Sequence, residues 1–365
     1  MPHGSYTVSA NPIDGGVRSD PAGRAGGGRP KFSASHQSEG SVDLFQQEWE
    51  LYQRVIEYDY LRHAGTHAAV EALLRRLSAA RAAAAGAADT SAAAAAAPGL
   101  KVLDLGCGDA HCVSAALAAA AGGGGAGGGV ASYTGVDMSA PALEVAAANL
   151  RCALGGGGGD GGARIRLVQG DMLAFARECR GGGGGAFDQG VGFDQDVDQP
   201  FDRRFDVVYA ALSAHHLDAD QKRELLRLVG GGSGGGLLAP GGVLILVDVF
   251  TGEGESRDAY MSRFRADVAA NWPRLSPRER QSILDHATGF DHPWDPAALR
   301  RWAAEPAGAA AAAGVAAHSE GAAGESGSDA EAAAAALFPG GAVVAYEQKF
   351  YKTVWMQAAG GAALV

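Results

Sequence analysis

Three aspartates each stand at the point where a strand-like apolar run ends: Asp104, Asp137 and Asp171. Gly106 and Gly108 follow the first of them, and glycine lets a backbone turn tightly and approach a ligand closely. The Gly-x-Gly pattern alone also fits an ordinary strand-to-helix turn, and any single aspartate also fits a solvated strand end. Three such acids at successive strand ends indicate a nucleotide-binding site.

The segments that carry these residues predict how they are brought together. Strand-like runs alternate with helical stretches, which is typical of a doubly wound α/β sheet whose ligands bind at the carboxyl ends of the strands. Ser139 is placed to cap the helix after the second run, and Pro141 suits the first turn of that helix. The predicted strand-bearing segments are 100–110, 132–137, 165–171, 205–217 and 238–250.

Over about residues 41–357 the chain resembles the class I S-adenosylmethionine-dependent methyltransferases, because five motifs occur in that family's order. The motifs are Val102-Leu-Asp-Leu-Gly-Cys-Gly, Gly135-Val-Asp, Gly170-Asp-Met, Phe205-Asp-Val-Val-Tyr and Leu238-Ala-Pro-Gly-Gly-Val. The resemblance implies a Rossmann-like, doubly wound seven-stranded sheet with an antiparallel C-terminal hairpin strand and an N-terminal helical lid. Residues 342–356 fit the hairpin, since their β-branched and aromatic residues predict two short strands.

The resemblance also implies S-adenosylmethionine as cofactor and assigns residues to it. Asp104 would hold the methionine ammonium, and Asp137 would accept from both ribose hydroxyls. Asp171 would accept from the adenine amino group, and the backbone N–H of Met172 would meet the adenine ring. Ala110 stands where the family often has a glycine. The implied donor-binding residues are Asp104, Gly106, Gly108, Asp137, Met138, Asp171, Met172 and Tyr209.

The fourth predicted strand ends in a histidine pair, His215 and His216. A neutral imidazole there can take a proton from a hydroxyl or an amine, so both residues are candidate catalytic groups. Capping or packing of the next helix is the alternative role. The segment lacks the Asn/Asp-Pro-Pro-aromatic signature of enzymes that methylate nucleobase or glutamine nitrogens. A small-molecule acceptor is therefore expected, with oxygen, nitrogen and carbon all open as the accepting atom.

Two further segments are predicted to enclose the site. Within residues 42–64, apolar and aromatic residues recur at helical spacing and predict one helix that buries a face. The opening of this segment is similar to a type 12-like or type 25-like subgroup of small-molecule methyltransferases. The residues with this spacing are Phe45, Trp49, Tyr52 and Ile56. By resemblance the helix covers the donor, with Tyr52, Tyr60 and His63 as candidate substrate-binding residues.

The second segment, residues 255–290, carries a helical stripe formed by Met261, Phe264 and Val268. Arginines and a tyrosine accompany the stripe, and they are candidates to bind an acidic group of the substrate. A solvated charged face is the alternative interpretation. These polar candidates are Arg257, Tyr260, Arg263 and Arg265.

Composition divides the chain into four predicted regions: a disordered tail at 1–40, a helical cap at 41–98, the methyltransferase domain at 99–357 and a tail at 358–365. Glycine and alanine runs interrupt the domain and are predicted to be surface insertions that carry no chemistry. They lie near 120–130, 153–163, 180–200, 229–236 and 305–336.

Charge and cysteine usage restrict the expected partners. The formal net charge of −11 disfavours nucleic acid and anionic membranes, and no apolar run is long enough to span a bilayer. The four cysteines have no paired spacing, which favours reduced thiols and a cytoplasmic protein, with chloroplast or mitochondrion as the alternative. Cys107, His111 and Cys112 lack a second ligand pair, so no metal site is predicted. The oligomeric state stays open.

The sequence thus favours a methyltransferase that uses S-adenosylmethionine and a small-molecule acceptor. A non-catalytic regulatory subunit that binds the same donor is the first alternative. An NAD(P)-dependent oxidoreductase is a weaker one, because His111 stands where its fingerprint needs a small residue. Asp104 would also repel a pyrophosphate.

Overall fold

A computed structural model describes residues 49–87, 99–121, 129–155, 163–181, 204–231, 235–306 and 336–360 of the chain. Its centre is a seven-stranded sheet in the order β3-β2-β1-β4-β5-β7-β6. The strands are β1 (Leu100–Leu105), β2 (Val130–Asp137), β3 (Arg164–Gln169), β4 (Phe205–Ala211), β5 (Leu238–Val249), β6 (Val343–Gln348) and β7 (Tyr351–Gln357). Strands β1 to β5 pair in parallel, and β7 is antiparallel to both β5 and β6. The predicted Rossmann-like fold with its C-terminal hairpin is confirmed.

Helices cover both faces of the sheet. They are α1 (Trp49–Glu57), α2 (His63–Ala87), α3 (His111–Ala121), α4 (Ala140–Leu154), α5 (Met172–Gly181), α6 (Ala219–Gly230), α7 (Arg257–Asn271), α8 (Pro277–Phe290) and α9 (Pro296–Ala303). A single turn of 3₁₀ helix, Ala214–His216, follows β4. As predicted, Ser139 caps α4 by accepting from the Ala142 backbone N–H, and proline occupies the first turn of that helix. No helix in the described ranges is long and apolar enough to cross a membrane.

Alternation along β1 shows how the sheet is buried. Leu103 and Leu105 enter one apolar core, whereas Leu100 and Val102 enter a second core on the opposite face. Asp104 therefore lies on the same face as Val102, at the carboxyl end of the strand. Burial on both faces explains why the strands are nearly continuous apolar runs.

The order of the strands also places the site. Strand β1 pairs with β2 on one side and with β4 on the other. Successive strands are therefore added on one side of β1 up to β3 and on its other side from β4 onward, which is a reversal of strand order. In such sheets the ligand crevice opens at the carboxyl ends of the strands beside this reversal. The ends of β1, β2 and β4 are thus brought to one edge.

The prediction of one helix over residues 42–64 is wrong in its extent. Within the described residues, α1 ends at Glu57, and the chain turns before α2 begins at His63. Asp59 and Arg62 adopt left-handed backbone angles, with φ of 52° and 58°, which end a right-handed helix. The Asp59 carboxylate accepts from the Ala64 backbone N–H at 3.1 Å and so supports the start of α2.

Several predicted segments lie outside the described residues. These are the N-terminal tail at 1–40, which includes no described position, Phe45 of the predicted lid helix, residues 232–234 of the insertion near 229–236, and most of each other glycine- or alanine-rich insertion. The C-terminal hairpin, by contrast, is described in full. Its two strands are joined at Lys349 and Phe350, whereas the sequence pattern predicts the junction near Glu347 and Gln348.

Candidate active site

A pocket of about 1070 Å³ of empty space lies at the carboxyl ends of β1, β2 and β4. Its wall includes Asp104, Asp137 and the turn between β1 and α3, as the sequence predicted. We call it the donor pocket. The implied donor residues that line it are Asp104, Gly106, Gly108, Asp137, Met138, Met172 and Tyr209.

The turn after β1 has a backbone that explains its glycines. Gly106 and Gly108 have φ of 73° and 52°, in the left-handed region that side chains disfavour. A Cβ added to Gly106 would lie 2.4 Å from the Cβ of Ser213, so the turn packs directly against the segment after β4. Ala110 is also left-handed, with φ of 54°, which accounts for glycine being frequent at this position in the family.

Asp104 is a buried carboxyl group with one unused oxygen. Only 1% of the surface of Asp104 is exposed, and its Oδ2 accepts a hydrogen bond from the Tyr133 hydroxyl at 2.6 Å. Oδ1 is buried and has no hydrogen-bond partner. Burial raises the pKa of Asp104 to about 7; nearby Asp137 adds to the rise, whereas the Tyr133 hydrogen bond opposes it. An ammonium group in the pocket would satisfy Oδ1 and favour the ionised form.

Asp137 joins the end of β2 to two neighbouring turns. Its Oδ2 accepts from the Gly108 backbone N–H at 2.9 Å, and Oδ1 accepts from the Ser139 N–H at 2.8 Å. Burial raises the pKa of the carboxyl group, while these backbone hydrogen bonds oppose the rise. Each carboxylate oxygen has a second lone pair, so Asp137 can still accept from two hydroxyls of a ligand.

The third predicted acid is placed differently. Asp171 Oδ1 accepts from the Ala174 backbone N–H at 2.8 Å, which directs that oxygen into the first turn of α5. Asp171 is absent from the described wall of the donor pocket, whereas its neighbours Gly170 and Met172 line it. The contact of Asp171 with an adenine amino group stays a prediction, because this hydrogen bond uses only Oδ1 of its carboxylate.

A second cavity, of about 760 Å³ of empty space, adjoins the donor pocket. Tyr52, Leu212 and His216 line both spaces, so they mark the junction between them. We call this second space the acceptor cavity. Most of its wall is apolar or aromatic, and about half of the lining residues lie on α1, α7 and α8. Its apolar and aromatic residues include Leu51, Val55, Tyr260, Phe264, Trp272 and Ile283.

His215 is held by a buried carboxylate that sequence inspection did not single out. The Nδ1 atom of His215 lies 2.6 Å from Oδ1 of Asp248, and Trp294 Nε1–H donates to the other Asp248 oxygen at 3.0 Å. Asp248 is fully buried near the end of β5. Burial alone would lower the pKa of His215, but the carboxylates of Asp248 and Asp291 outweigh it and raise that pKa.

His216, at the junction of the two spaces, differs from His215 in its hydrogen bonding and in the direction of its pKa shift. Its Nδ1 is buried and has no hydrogen-bond partner. Burial, together with the neighbouring rings of His215 and His286, lowers the pKa of His216 well below its usual value. The ring is therefore neutral at physiological pH and has a lone pair available.

The predicted substrate-binding residues divide into two groups. Tyr52 and His63 line the donor pocket, and Tyr260 lines the acceptor cavity. Tyr60 lines neither space: its hydroxyl accepts from the Arg274 N–H at 3.0 Å, and its ring stacks on Trp272 with centroids 4.6 Å apart. Tyr60 thus supports an aromatic side chain of the acceptor cavity.

The idea that arginines of segment 255–290 bind an acidic substrate group is not supported. Arg257 donates to the backbone carbonyls of Asp291 at 2.8 Å and Thr288 at 2.7 Å, so it closes the end of α8. Arg263 pairs with Glu255 at 2.7 Å. Within the described residues, no arginine or lysine lines the acceptor cavity. These cations are used to hold the fold together.

Sequence inspection missed other residues of the two walls. Thr66 and His67 of α2 line the donor pocket, and His286 and Asp291 at the end of α8 line the acceptor cavity. The only local signal was a histidine repeated at i and i+4 on α2, His63 and His67, which places both on one helix face. Asp291 gave no local signal, because it reaches the histidine pair only through the tertiary fold.

The fold and the acidic strand ends define a Rossmann-like methyltransferase. A family model described as a methyltransferase domain matches residues 57–307. The chain therefore belongs to this methyltransferase-domain family, which confirms the resemblance to class I S-adenosylmethionine-dependent enzymes, with S-adenosylmethionine as the cofactor. No curated protein sequence matches the chain at a significant level.

Solved structures with a related shape are distant in sequence. Magnesium protoporphyrin IX methyltransferase from Synechocystis PCC 6803, with bound SAH, is 14% identical; the match covers 87% of this chain and 98% of that one, with a TM-score of 0.42. An O-methyltransferase family protein from Burkholderia thailandensis is 17% identical over 90% and 75% of the two chains, with a TM-score of 0.38. A putative methyltransferase from Bacillus halodurans is 20% identical over 57% and 62%, with a TM-score of 0.32. These likenesses say nothing about the acceptor.

Proposed function

We propose that the chain transfers a methyl group from S-adenosylmethionine to a small, largely apolar molecule bound in the acceptor cavity. The observation that carries this proposal is the junction at Tyr52, Leu212 and His216, where the donor pocket meets an apolar cavity. An apolar wall with a few polar groups at one end is typical of a small-molecule site.

The chain's own groups fit the donor. Asp104 offers an unpartnered buried oxygen for the ammonium, and Asp137 offers two acceptors for a vicinal diol. Gly106 and Gly108 line the pocket without side chains and supply the left-handed backbone of the turn. Bound S-adenosylmethionine supplies an electrophilic methyl on a sulfonium.

The other contribution of the protein to methyl transfer is to position the acceptor. The aromatic and aliphatic wall excludes water and fixes an apolar acceptor with its polar end toward His216 and Asp291, two polar residues of the cavity wall. Holding two reactants in line contributes several kcal/mol to lowering a barrier, on the order of 7 to 11 in the best intramolecular cases. Asp248 holds the ring of His215 in place through its contact with Nδ1. The backbone of His215 is held by the His292 N–H, which donates to the His215 carbonyl at 2.7 Å.

Methyl transfer is tested with purified full-length chain, methyl-labelled S-adenosylmethionine and fractionated cell extract. We expect label to appear in an apolar small-molecule fraction and not in protein or nucleic acid. Asp104→Asn run in parallel should transfer little label, because the amide cannot balance the ammonium charge. Donor binding without label in any fraction would instead support the regulatory-subunit alternative.

Donor affinity should depend on pH through Asp104, whose pKa is about 7 without ligand. Binding favours the ionised carboxylate, so the dissociation constant should rise about tenfold for each pH unit below 7 and level off above it. Above about pH 8 the donor's own α-amino group loses its charge, so affinity should fall again. Calorimetry from pH 5.5 to 9 measures the profile.

Asp104→Asn is the matched control for this profile. The variant keeps the shape of the side chain but has no carboxyl proton to lose. Its dissociation constant should therefore be larger than that of the wild type and should not change with pH near pH 7. Four further groups that interact with Asp104 have raised pKa values that keep them neutral in this range: Tyr133, Cys107, Cys112 and Tyr209. The carboxyl group of Asp137 also acts on Asp104, and it is present in both the wild type and the variant. A wild-type profile that is flat between pH 5.5 and 8 would contradict the assignment of Asp104 to the ammonium.

A further inference from the structure

Three imidazole nitrogens surround one carboxylate oxygen at the wall of the acceptor cavity. Oδ1 of Asp291 lies 3.6 Å from His215 Nε2, 3.8 Å from His216 Nδ1 and 3.8 Å from His286 Nε2. All three separations exceed the length of a hydrogen bond. The four side chains come from the segment after β4 and from the end of α8, so the tertiary fold assembles the cluster.

Two atoms of this cluster are buried and have no hydrogen-bond partner: Asp291 Oδ1 and His216 Nδ1. Leaving a buried acceptor unsatisfied costs roughly 1 to 3 kcal/mol, and more for a charged group. With the imidazole proton on Nε2 of His216 both atoms are acceptors, and their separation of 3.8 Å is too long for a hydrogen bond between them. A cation between them would satisfy both.

The surroundings prepare the two histidines as ligands. Asp248 engages Nδ1 of His215 at 2.6 Å, which leaves Nε2 facing Asp291. Metal-binding histidines commonly have their second nitrogen fixed by a carboxylate in this way. Arg257 donates to the Asp291 carbonyl at 2.8 Å and so holds the carboxylate's backbone in position.

We propose that His215 Nε2, His216 Nδ1 and Asp291 Oδ1 bind a divalent first-row transition metal ion, with Zn²⁺ as the representative. Each of these three residues offers one ligand atom that lies within 4.8 Å of those of the other two. Ligands about 2.0 to 2.1 Å from a tetrahedral Zn²⁺ are roughly 3.4 Å apart. The His215–Asp291 and His216–Asp291 separations of 3.6 and 3.8 Å exceed that spacing by only a few tenths of an ångström. Two nitrogen ligands favour such an ion over Mg²⁺ or Ca²⁺.

Three protein ligands leave the fourth position of a tetrahedral ion open, as in catalytic zinc sites. His215, His216 and Asp291 all line the acceptor cavity, so the open position faces that cavity. An oxygen or nitrogen of the acceptor can occupy it, beside the junction with the donor pocket. This last step rests on the proposed methyl transfer, whereas binding of the ion does not.

The test is calorimetric titration of chelator-treated, dialysed full-length chain with Zn²⁺ in the absence of S-adenosylmethionine. We expect one equivalent to bind, and Co²⁺ in its place to give the strong visible absorption of a four-coordinate ion. Asp291→Asn should weaken Zn²⁺ binding at least about 100-fold, since loss of even an outer partner of a ligand costs 10- to 100-fold. His216→Ala should do the same if Asp291→Asn proves poorly folded by circular dichroism.

His292→Ala and Cys112→Ser are the matched controls. His292 is exposed and adjacent to Asp291, and Cys112 is a free thiol that lines the donor pocket. Both should bind Zn²⁺ like the wild type. The proposal is overturned if the wild type binds no Zn²⁺, or if Asp291→Asn and His216→Ala bind it as tightly as the controls do. Calorimetry with S-adenosylmethionine on the same samples keeps a failure of donor binding separate from a failure of metal binding.

Discussion

Asp137→Ala should weaken binding of S-adenosylmethionine by about 2 to 4 kcal/mol, or roughly 30- to 900-fold. The carboxylate is the only acceptor at the end of β2 in the described pocket wall that can meet two vicinal hydroxyls. It also anchors the Gly108 and Ser139 N–H groups, so its loss loosens the turn as well as removing ligand contacts. Isothermal titration with the donor and with its demethylated product measures both affinities.

Glu144→Ala is the matched control for this change. Glu144 is an exposed acid on α4, the helix that follows Asp137, so its removal changes net charge equally without touching the pocket. Its donor affinity should equal that of the wild type. If Asp137→Ala also binds the donor normally while remaining folded, Asp137 does not hold the ribose.

The donor half of the site could be predicted from sequence because its signals are local. Each of Asp104 and Asp137 ends a strand, and the glycines follow within four residues of the first. In a parallel sheet the carboxyl ends of neighbouring strands share one edge, so the pattern along the chain already implies proximity in space. Asp171 shows the limit of this argument, because helix capping competes for the same carboxylate.

The acceptor half could be predicted only in part: His215, His216 and Tyr260 were candidates and line the cavity, but the carboxylates beside the histidine pair were not found. Asp248 looks like one more residue of an apolar strand, and its role appears only when β5 places it 2.6 Å from His215. Asp291 and His286 lie about 70 residues beyond the histidine pair, at the end of α8. The spacing of Asp291 and His286 along the sequence does not indicate their contact with the histidine pair, because the paths of the loops that connect these elements could not be predicted.

The arginines of segment 255–290 were misassigned for a related reason. A row of cations on a helix has the same sequence pattern whether it faces a ligand, solvent or backbone carbonyls. Arg257 faces carbonyls at the end of α8, and Arg263 faces Glu255 and the ring of Phe350. Helix-end carbonyls lack intrahelical partners, so a nearby guanidinium is drawn to them. The acceptor cavity consequently lacks a cation among its described residues and suits an apolar acceptor.

His216→Ala should lower kcat roughly 100-fold or more while leaving donor affinity nearly unchanged. In the proposed reaction Asp104 and Asp137 hold the donor, whereas His216 lies at the junction of the donor pocket and the acceptor cavity. Removing its ring leaves the acceptor without one of its few polar neighbours and opens a gap beside the transferred methyl. Steady-state kinetics on the acceptor found by label transfer, with calorimetry for the donor, separate the two effects.

His292→Ala is the matched control for this prediction. It removes an exposed imidazole from the same region and keeps the backbone N–H that donates to the His215 carbonyl and the carbonyl that accepts from Lys222. Its kcat and donor affinity should match those of the wild type. A His216→Ala enzyme that also turns over at the wild-type rate would show that the ring only packs the junction, and methyl transfer would then depend on positioning by the apolar wall alone.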